Sequence, residues 1–269
     1  PIRCSNVWPD AEGREFLSPL EYETIALMGS NLGLGDLDQI ARLNRMCNDI
    51  GIDTIEIGAA LGVAAQAGLA DFGDVEGFAR LLDEVRAGTP LGQTIGNGAA
   101  AVGQAYDVDR TPTVKRQSMP AYDPRALKGT GVTFATCPQG ADHTAGHTAR
   151  ADVDHLAPEG QVAASRAVQV TVAAVDTLGL CLMTAPAIGG RRDLLAELVS
   201  GRLGVEWTVD DVVALGEETI EMEREFNRRA GFTAQDDRVP RWMHQEPLPP
   251  HDTVFDVPEE EIDRIYDFD

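Results

Sequence analysis

Lysine is almost missing from this chain: Lys115 and Lys128 are the only two in 269 residues. The 44 acidic residues outnumber the 22 basic ones, which gives a formal net charge of −22. A surface of this sign repels phosphate backbones, so we expect no nucleic-acid partner that binds through general electrostatics.

Long apolar runs and cysteines are scarce as well. No segment reaches the roughly 18 to 20 uncharged apolar residues that a membrane span needs, and no basic region leads into an apolar one as in a secretory signal. Four cysteines are too few for a disulfide scaffold in a chain of this size. These absences predict a cytoplasmic protein that does not insert into a membrane.

Helical patterns are plentiful, whereas the alternating pattern of half-buried strands is rare. Residues 36–51 have apolar positions three and four apart, a cap at Asp36 and a break at Gly51. Thr208 and Asp211 form a capping box ahead of another long amphipathic segment. Residues 165–183 fit a buried strand or a buried helix, and their length favours the helix. We predict a mainly α protein.

Prolines mark the middle of the chain, at positions 112, 120 and 124. Their density predicts irregular structure from residue 106 to residue 128 and a domain boundary near residue 112. The prediction is therefore two multihelical domains, 1–112 and 113–269. The first residue is Pro1 and not methionine, which suggests that the chain continues a longer protein.

Two similar hexads stand out, "NDIGID" at residues 48–53 and "DTLGLC" at residues 176–181. In each, a glycine (Gly51 or Gly179) lets the backbone approach a flat ligand without an intervening side chain. Acidic or amide side chains beside the glycines can accept hydrogen bonds from ring N–H and amino groups, such as the edge of a pterin: Asn48, Asp49, Asp53 and Asp176.

Cys181 closes the second hexad and is a candidate metal ligand, because iron–sulfur clusters are held by thiolates. Cys4 is a second candidate for the same cluster. The alternative is structural: such a hexad also fits a helix end with a capping glycine. A lone cysteine is often a small buried hydrophobe, which is our interpretation of Cys47 and Cys137.

The order of several blocks resembles a known family along nearly the whole chain. These blocks are "PIRC", "PLEYETIALMGSNLGLGDLDQIARLNRMCNDIGIDTI", "MPAYDPRALKGTGVTFAT", "GADH", "DTLGLC" and "REFNRRAGF". They are similar, in this order, to the C-terminal two domains of the tungsten-containing aldehyde:ferredoxin oxidoreductases.

The resemblance implies two helical domains in which each hexad, with Leu180 included in the second, binds one pterin of a tungsten or molybdenum bis-pterin cofactor. It implies that Cys181 and Cys4 are the fourth and third ligands of a [4Fe–4S] cluster. The first two ligands and the family's N-terminal β domain do not occur in this sequence, so that domain is an expected partner.

The resemblance also implies a set of substrate-site residues. Glu23 matches a glutamate near the metal, a candidate base, and its register is preferred over that of Glu21. Tyr122 and His143 match residues that line the substrate pocket, with His147 as a close competitor of His143. Each assignment has a structural alternative: Tyr122 is then a core residue, and His143 is then a surface or capping residue.

The implied reaction is oxidation of a small aldehyde to a carboxylic acid, with electrons passed through the cluster to ferredoxin. A relative acting on another substrate, such as an aromatic acyl-CoA, is one alternative. A non-catalytic fragment or subunit that needs its N-terminal partner is another. A homo-oligomer is compatible with the resemblance.

Overall fold

The computed structural model describes residues 6–181, 184 and 191–268. These form two compact units, of which the first ends at Ala121 and the second begins at Tyr122. The sequence pattern placed the boundary near residue 112. A short hairpin beyond that point belongs to the first unit, because Ser118 donates from its N–H (2.9 Å) and its Oγ (2.7 Å) to the Glu56 carboxylate.

The first unit is a bundle of short helices with two small hairpins. Its helices are α1 (Tyr22–Met28), α2 (Leu37–Ile50), α3 (Thr54–Gln66), α4 (Val75–Ala87), α5 (Pro90–Gly96) and α6 (Ala99–Tyr106). The strands β1 (Trp8–Pro9) and β2 (Glu15–Leu17) form one antiparallel hairpin, and β3 (Thr113–Val114) and β4 (Gln117–Ser118) form the other.

Helix α3 lies at the centre of this unit, and its small residues allow the neighbouring helices to pack closely against it. It is buried from Ile57 to Ala65. A Cβ at Gly58 would lie 2.8 Å from the Cβ of Leu27 and 2.9 Å from its backbone, so only glycine lets α1 pack this closely. The small residues of α3 therefore allow its neighbours to pack closely around it.

Among its described residues, the second unit has the α-helices α7 (Lys128–Thr136), α8 (Gln161–Thr177), α9 (Arg192–Leu203), α10 (Val209–Ala230) and α11 (Glu259–Asp263). The segment that periodicity left open is the helix α8. Gly216 of α10 makes the close packing with α8 feasible, since a Cβ there would lie 2.1 Å from the carbonyl oxygen of Val170. The predicted capping box of Thr208 and Asp211 is present at the start of α10.

The C-terminal segment packs against the rest of the second unit. Phe255 and Ile265 are buried, and Asp256 contacts the ammonium of the buried Lys128. Within the described residues there are eleven α-helices and four strands of two or three residues, so the predicted mainly α fold is confirmed. No helix in this part of the chain combines the length and apolar character needed to cross a bilayer.

Candidate functional site

The first hexad joins α2 to α3. Gly51 ends α2 with φ +84°, and its N–H donates to the carbonyl of Cys47 at 2.8 Å. Asp53 then caps α3 by accepting the N–H of Glu56 at 2.7 Å. The hexad is thus a turn between two capped helices, which explains both its glycine and its last aspartate.

The side chains of this hexad differ in their availability. Asn48 and Asp53 are exposed. Asp49 forms an ion pair with Arg45, whose Nε lies 3.0 Å from its carboxylate. Burial and the nearby Asp53 raise the pKa of the Cys47 thiol to about 12, so Cys47 is the inert core residue that the sequence suggested.

The second hexad has a similar local structure. It follows the last turn of α8, where Gly179 has φ +71° and the N–H of Leu180 donates to the carbonyl of Val175 at 3.1 Å. A Cβ at Gly51 or at Gly179 would meet nothing within 4 Å, so the space beside both glycines is open. Each hexad is therefore a helix end whose left-handed glycine faces free space.

Cys181 and Asp176 of the second hexad are both exposed. Cys181 is a free thiol, and it follows the glycine turn directly. Although the residue as a whole is exposed, partial loss of hydration at its carboxylate, and then the nearby Asp142, raise the pKa of Asp176. Cys4, the other predicted cluster ligand, lies outside the described residues.

Asp176 also lines a cavity of about 710 Å³ between α8, α10 and the loop that begins at Cys137. Glu223, on α10, lines the same cavity. Loss of hydration, and then the charge of Asp176, raise the pKa of Glu223. Sequence reasoning missed Glu223, although its spacing of seven residues from the buried Gly216 puts both on one face of α10.

Glu23 lies in the first turn of α1, in the first unit. It is 9% exposed, and its Oε2 accepts the N–H of Ala121 at 2.8 Å. Glu21, by contrast, is exposed and serves as the residue that precedes α1. Of the two glutamates weighed in the sequence, Glu23 is the one held by the fold.

Tyr122 opens the second unit, next to a strongly anchored arginine. Arg125 is 4% exposed; it bonds to both oxygens of Asp123 (3.0 and 2.7 Å) and donates to the carbonyl of Glu246 at 2.9 Å. Its guanidinium also lies 4.9 Å from the ring centroid of Trp242. These contacts fix the backbone from which Tyr122 projects.

The histidines lie on a loop that is tied to two helices. Asp142 accepts the N–H (2.8 Å) and the hydroxyl (2.7 Å) of Thr144, which closes a tight turn around His143. Gly146 packs against α8, where a Cβ would lie 2.9 Å from Gln169. The buried Thr148 bonds to Thr130 of α7 through its N–H at 3.2 Å.

This anchoring brings three rings together in the second unit. The ring of Tyr122 lies 5.5 Å from that of His143 and 4.2 Å from that of His147, centroid to centroid. Burial lowers the pKa of His147, and the neighbouring His143, His155 and Arg150 lower it further. Tyr122 and His143 are therefore neighbours, and His147 is nearer to Tyr122 than His143 is.

Comparison with known proteins gives a consistent result. The family model described as "Aldehyde ferredoxin oxidoreductase, domains 2 & 3" matches residues 1–268. The chain is 29% identical over 273 residues to the tungsten-containing aldehyde ferredoxin oxidoreductase of Pyrococcus furiosus, covering 93% of this chain and 45% of that protein. The corresponding protein of Thermococcus kodakarensis is 28% identical over 253 residues, covering 85% and 42%.

Two more distant similarities complete the comparison. An aliphatic sulfonate oxidoreductase, WOR-like subunit, of Pyrococcus furiosus is 30% identical over 145 residues, covering 46% of this chain and 23% of that protein. The solved active site complex BamBC of benzoyl coenzyme A reductase, in complex with 1,5-dienoyl-CoA, superposes with a TM-score of 0.70. It covers 93% of this chain and 46% of that chain at 14% identity, a likeness of fold.

Proposed function

The chain belongs to the aldehyde ferredoxin oxidoreductase family, and from that membership we propose that it supplies the two helical domains of a bis-pterin oxidoreductase that oxidises aldehydes to carboxylic acids. The chain spans less than half the length of the tungsten-containing relatives that it matches. We propose that an N-terminal β domain provides the rest of the cofactor site.

The observation that supports the proposal best is the shared local structure of the two hexads. Both end a helix at a left-handed glycine with open space beside it, and both carry acidic or amide side chains within three residues of that glycine. We propose that each hexad binds one pterin, through Asn48, Asp49, Gly51 and Asp53 in the first and Asp176, Gly179 and Leu180 in the second.

The residues present fit these groups chemically. Carboxylate and amide oxygens match the donor-rich edge of a pterin, and an exposed thiol such as Cys181 suits an iron–sulfur cluster. When bound, the tungsten or molybdenum cofactor supplies the two-electron redox chemistry and Lewis acidity that the protein lacks. We propose Cys181 and Cys4 as ligands of the adjacent [4Fe–4S] cluster, from which ferredoxin takes the electrons.

The remaining steps are assigned to side chains of the chain itself. Glu23 takes a proton from the attacking water, a role that suits a carboxylate fixed by the Ala121 N–H. His143 donates a proton or hydrogen bond to the carbonyl oxygen as charge develops there, and Tyr122 orients that oxygen. The net reaction adds one water to the aldehyde and releases two protons and two electrons, which reduce two ferredoxins.

The decisive experiment uses the full-length protein, purified without oxygen from cells supplied with tungstate or molybdate. Metal, iron and pterin contents are measured, and reduction of ferredoxin or a viologen dye is followed with a panel of aldehydes. Aldehyde-dependent reduction by a metal- and pterin-containing protein supports the proposal. Metal- and pterin-containing protein that turns over only an aromatic acyl-CoA or an aliphatic sulfonate contradicts the aldehyde assignment. A protein without pterin supports the non-catalytic alternative.

A further inference from the structure

The cavity between α8 and α10 is lined partly by the second hexad and partly by residues of α10. Asp176 contributes from the last turn of α8, and Glu223 contributes from α10. The position of Glu223 follows from the packing of these helices. Gly216 and Ile220 of α10 are buried, and Glu223 continues the same face at helical spacing. The close approach at Gly216 and Val170 fixes the face that α10 presents to the cavity.

The residues that line this cavity include both apolar and acidic side chains. Val172, Ile220 and Phe226 provide apolar surface, and Asp142, Asp176 and Glu223 provide carboxylates. Among the described residues that line it, none is basic. Loss of hydration, and then the charge of a neighbouring carboxylate, raises the pKa of both Asp176 and Glu223.

This combination is suited to a flat ring that has several N–H donors along one edge. The apolar walls contact the faces of the ring, and the donors relieve the repulsion between the carboxylates. A metal cation fits less well, because no group of three His, Cys, Asp or Glu side chains among the described residues is arranged to hold one. The amino-pyrimidine end of a pterin has the required shape and donors.

We infer that Glu223 is a second carboxylate acceptor for one pterin of the cofactor, together with Asp176 in this cavity. The inference rests on the proposed function and adds a binding residue from a helix outside both hexads. Two acceptors on different helices would fix the orientation of the ring as well as its position.

The test is the release of pterin from the full-length, cofactor-loaded protein. Protein is diluted anaerobically under mild heating, and the released pterin is oxidised and quantified by fluorescence over time. Glu223→Gln places amide N–H groups against the donors of the ring, so pterin release should be about ten times faster than in the wild type, the effect of losing one hydrogen bond to a charged group. Glu223→Asp keeps the charge and should recover part of the retention.

Glu221→Gln is the matched control, because Glu221 is an exposed glutamate on the same helix, as Glu223 is, but does not line the cavity. It should release pterin at the wild-type rate, and all variants should keep the wild-type melting temperature. Wild-type release in Glu223→Gln, from protein that contains pterin, would overturn the assignment of Glu223 and leave the proposed function intact. A wild-type protein that never contains pterin would overturn both.

Discussion

The rings of His147 and Tyr122 meet edge to face, with centroids 4.2 Å apart and planes inclined at 87°. The Nδ1 of His147 accepts the N–H of Ala149 at 3.1 Å, so the neutral ring has its proton on Nε2. Burial and the surrounding histidines and arginine lower the pKa of His147, which favours this neutral form. His147 therefore acts as a rigid support for the tyrosine that we place in the substrate site.

Two substitutions of His147 distinguish the contribution of its ring contact with Tyr122 from that of its hydrogen bond with Ala149. His147→Asn keeps an acceptor for the Ala149 N–H but removes the ring against Tyr122, so kcat/KM for aldehyde should fall about threefold to tenfold, the effect of one aromatic contact. His147→Phe keeps a ring and should remain near the wild type, since the exposed Ala149 can bond to water. The opposite order of the two variants would contradict a supporting role for the ring.

The same histidine predicts a pH dependence of stability. The folded-state pKa of His147 lies below its ordinary value of 6.5, so the unfolded chain binds the proton more readily. Stability should therefore decrease as the pH falls through 6.5 toward the folded-state pKa. Melting temperatures from pH 8 to pH 5 should fall less steeply in His147→Phe than in the wild type. Substitution of the exposed His251 by Phe should leave the wild-type slope, and identical slopes for all three proteins would refute the prediction.

Glu23→Gln tests the proposed base. The amide keeps an oxygen that can accept the Ala121 N–H, so the fold and the metal content should be preserved. Turnover should fall by about 10²- to 10⁴-fold, the usual contribution of a general base. Both quantities are measured on the same preparation, by dye reduction and by metal analysis.

Glu21→Gln is the control for this variant, because Glu21 is exposed and lies two residues away. It should leave turnover unchanged. Loss of metal in Glu23→Gln in proportion to the loss of turnover would instead make Glu23 a structural residue.

The glycine of the first hexad can be compared with an ordinary helix-ending glycine. Gly51 has φ +84° and Gly88 has φ +64°, and a Cβ at either would meet nothing within 4 Å. Alanine at each position should therefore cost a similar amount, about 1–2 kcal/mol in the free energy of unfolding, from the left-handed backbone alone. Denaturant titration measures this cost.

Pterin content should distinguish the same two variants. Gly51→Ala adds a methyl group to the space that we assign to a pterin, so it should lower the pterin content of the full-length protein, whereas Gly88→Ala should not. Equal pterin contents in both variants would contradict the assignment of the first hexad to the cofactor site.

Cys181 should behave differently from the buried cysteines. It is exposed, whereas Cys47 and Cys137 are buried and the pKa of Cys47 is raised to about 12. In protein without its cluster, iodoacetamide should alkylate Cys181 rapidly and leave Cys47 and Cys137 unmodified, as read by peptide mass spectrometry. Cluster-loaded protein should be protected at Cys181. Rapid alkylation of Cys181 in both forms would argue against its role as a cluster ligand.

Most of the helices were predictable from local signals. The Asp36 cap, the Thr208–Asp211 capping box and the break at Gly51 all appear where the sequence placed them. The boundary between the units was harder to place, because the β3–β4 hairpin joins the first unit through Glu56, on α3 far back along the chain. Prolines mark an irregular segment, but they do not indicate which unit that segment packs against.

The sequence named two of the three rings that lie together in the second unit, and their assignment to a substrate site stays a prediction. The family blocks pointed to Tyr122 and His143, and the structure places their rings 5.5 Å apart. The sequence ranked His147 second and did not single out Glu223. The roles that we propose for these two residues depend on their tertiary contacts, with Tyr122 for His147 and with the Asp176 cavity for Glu223. No sequence motif encodes those contacts.

The sequence by itself determined several helix ends of this protein and the turns of the backbone at its two hexads. Those features depend on energies within a few residues, namely capping hydrogen bonds and the left-handed conformation that glycine tolerates. Only the tertiary structure decided that His147 supports Tyr122 and that Glu223 shares a cavity with Asp176. Both pairs arise from the contact of distant segments, set by close approaches at Gly146 and Gly216 that depend on the packing of the whole unit.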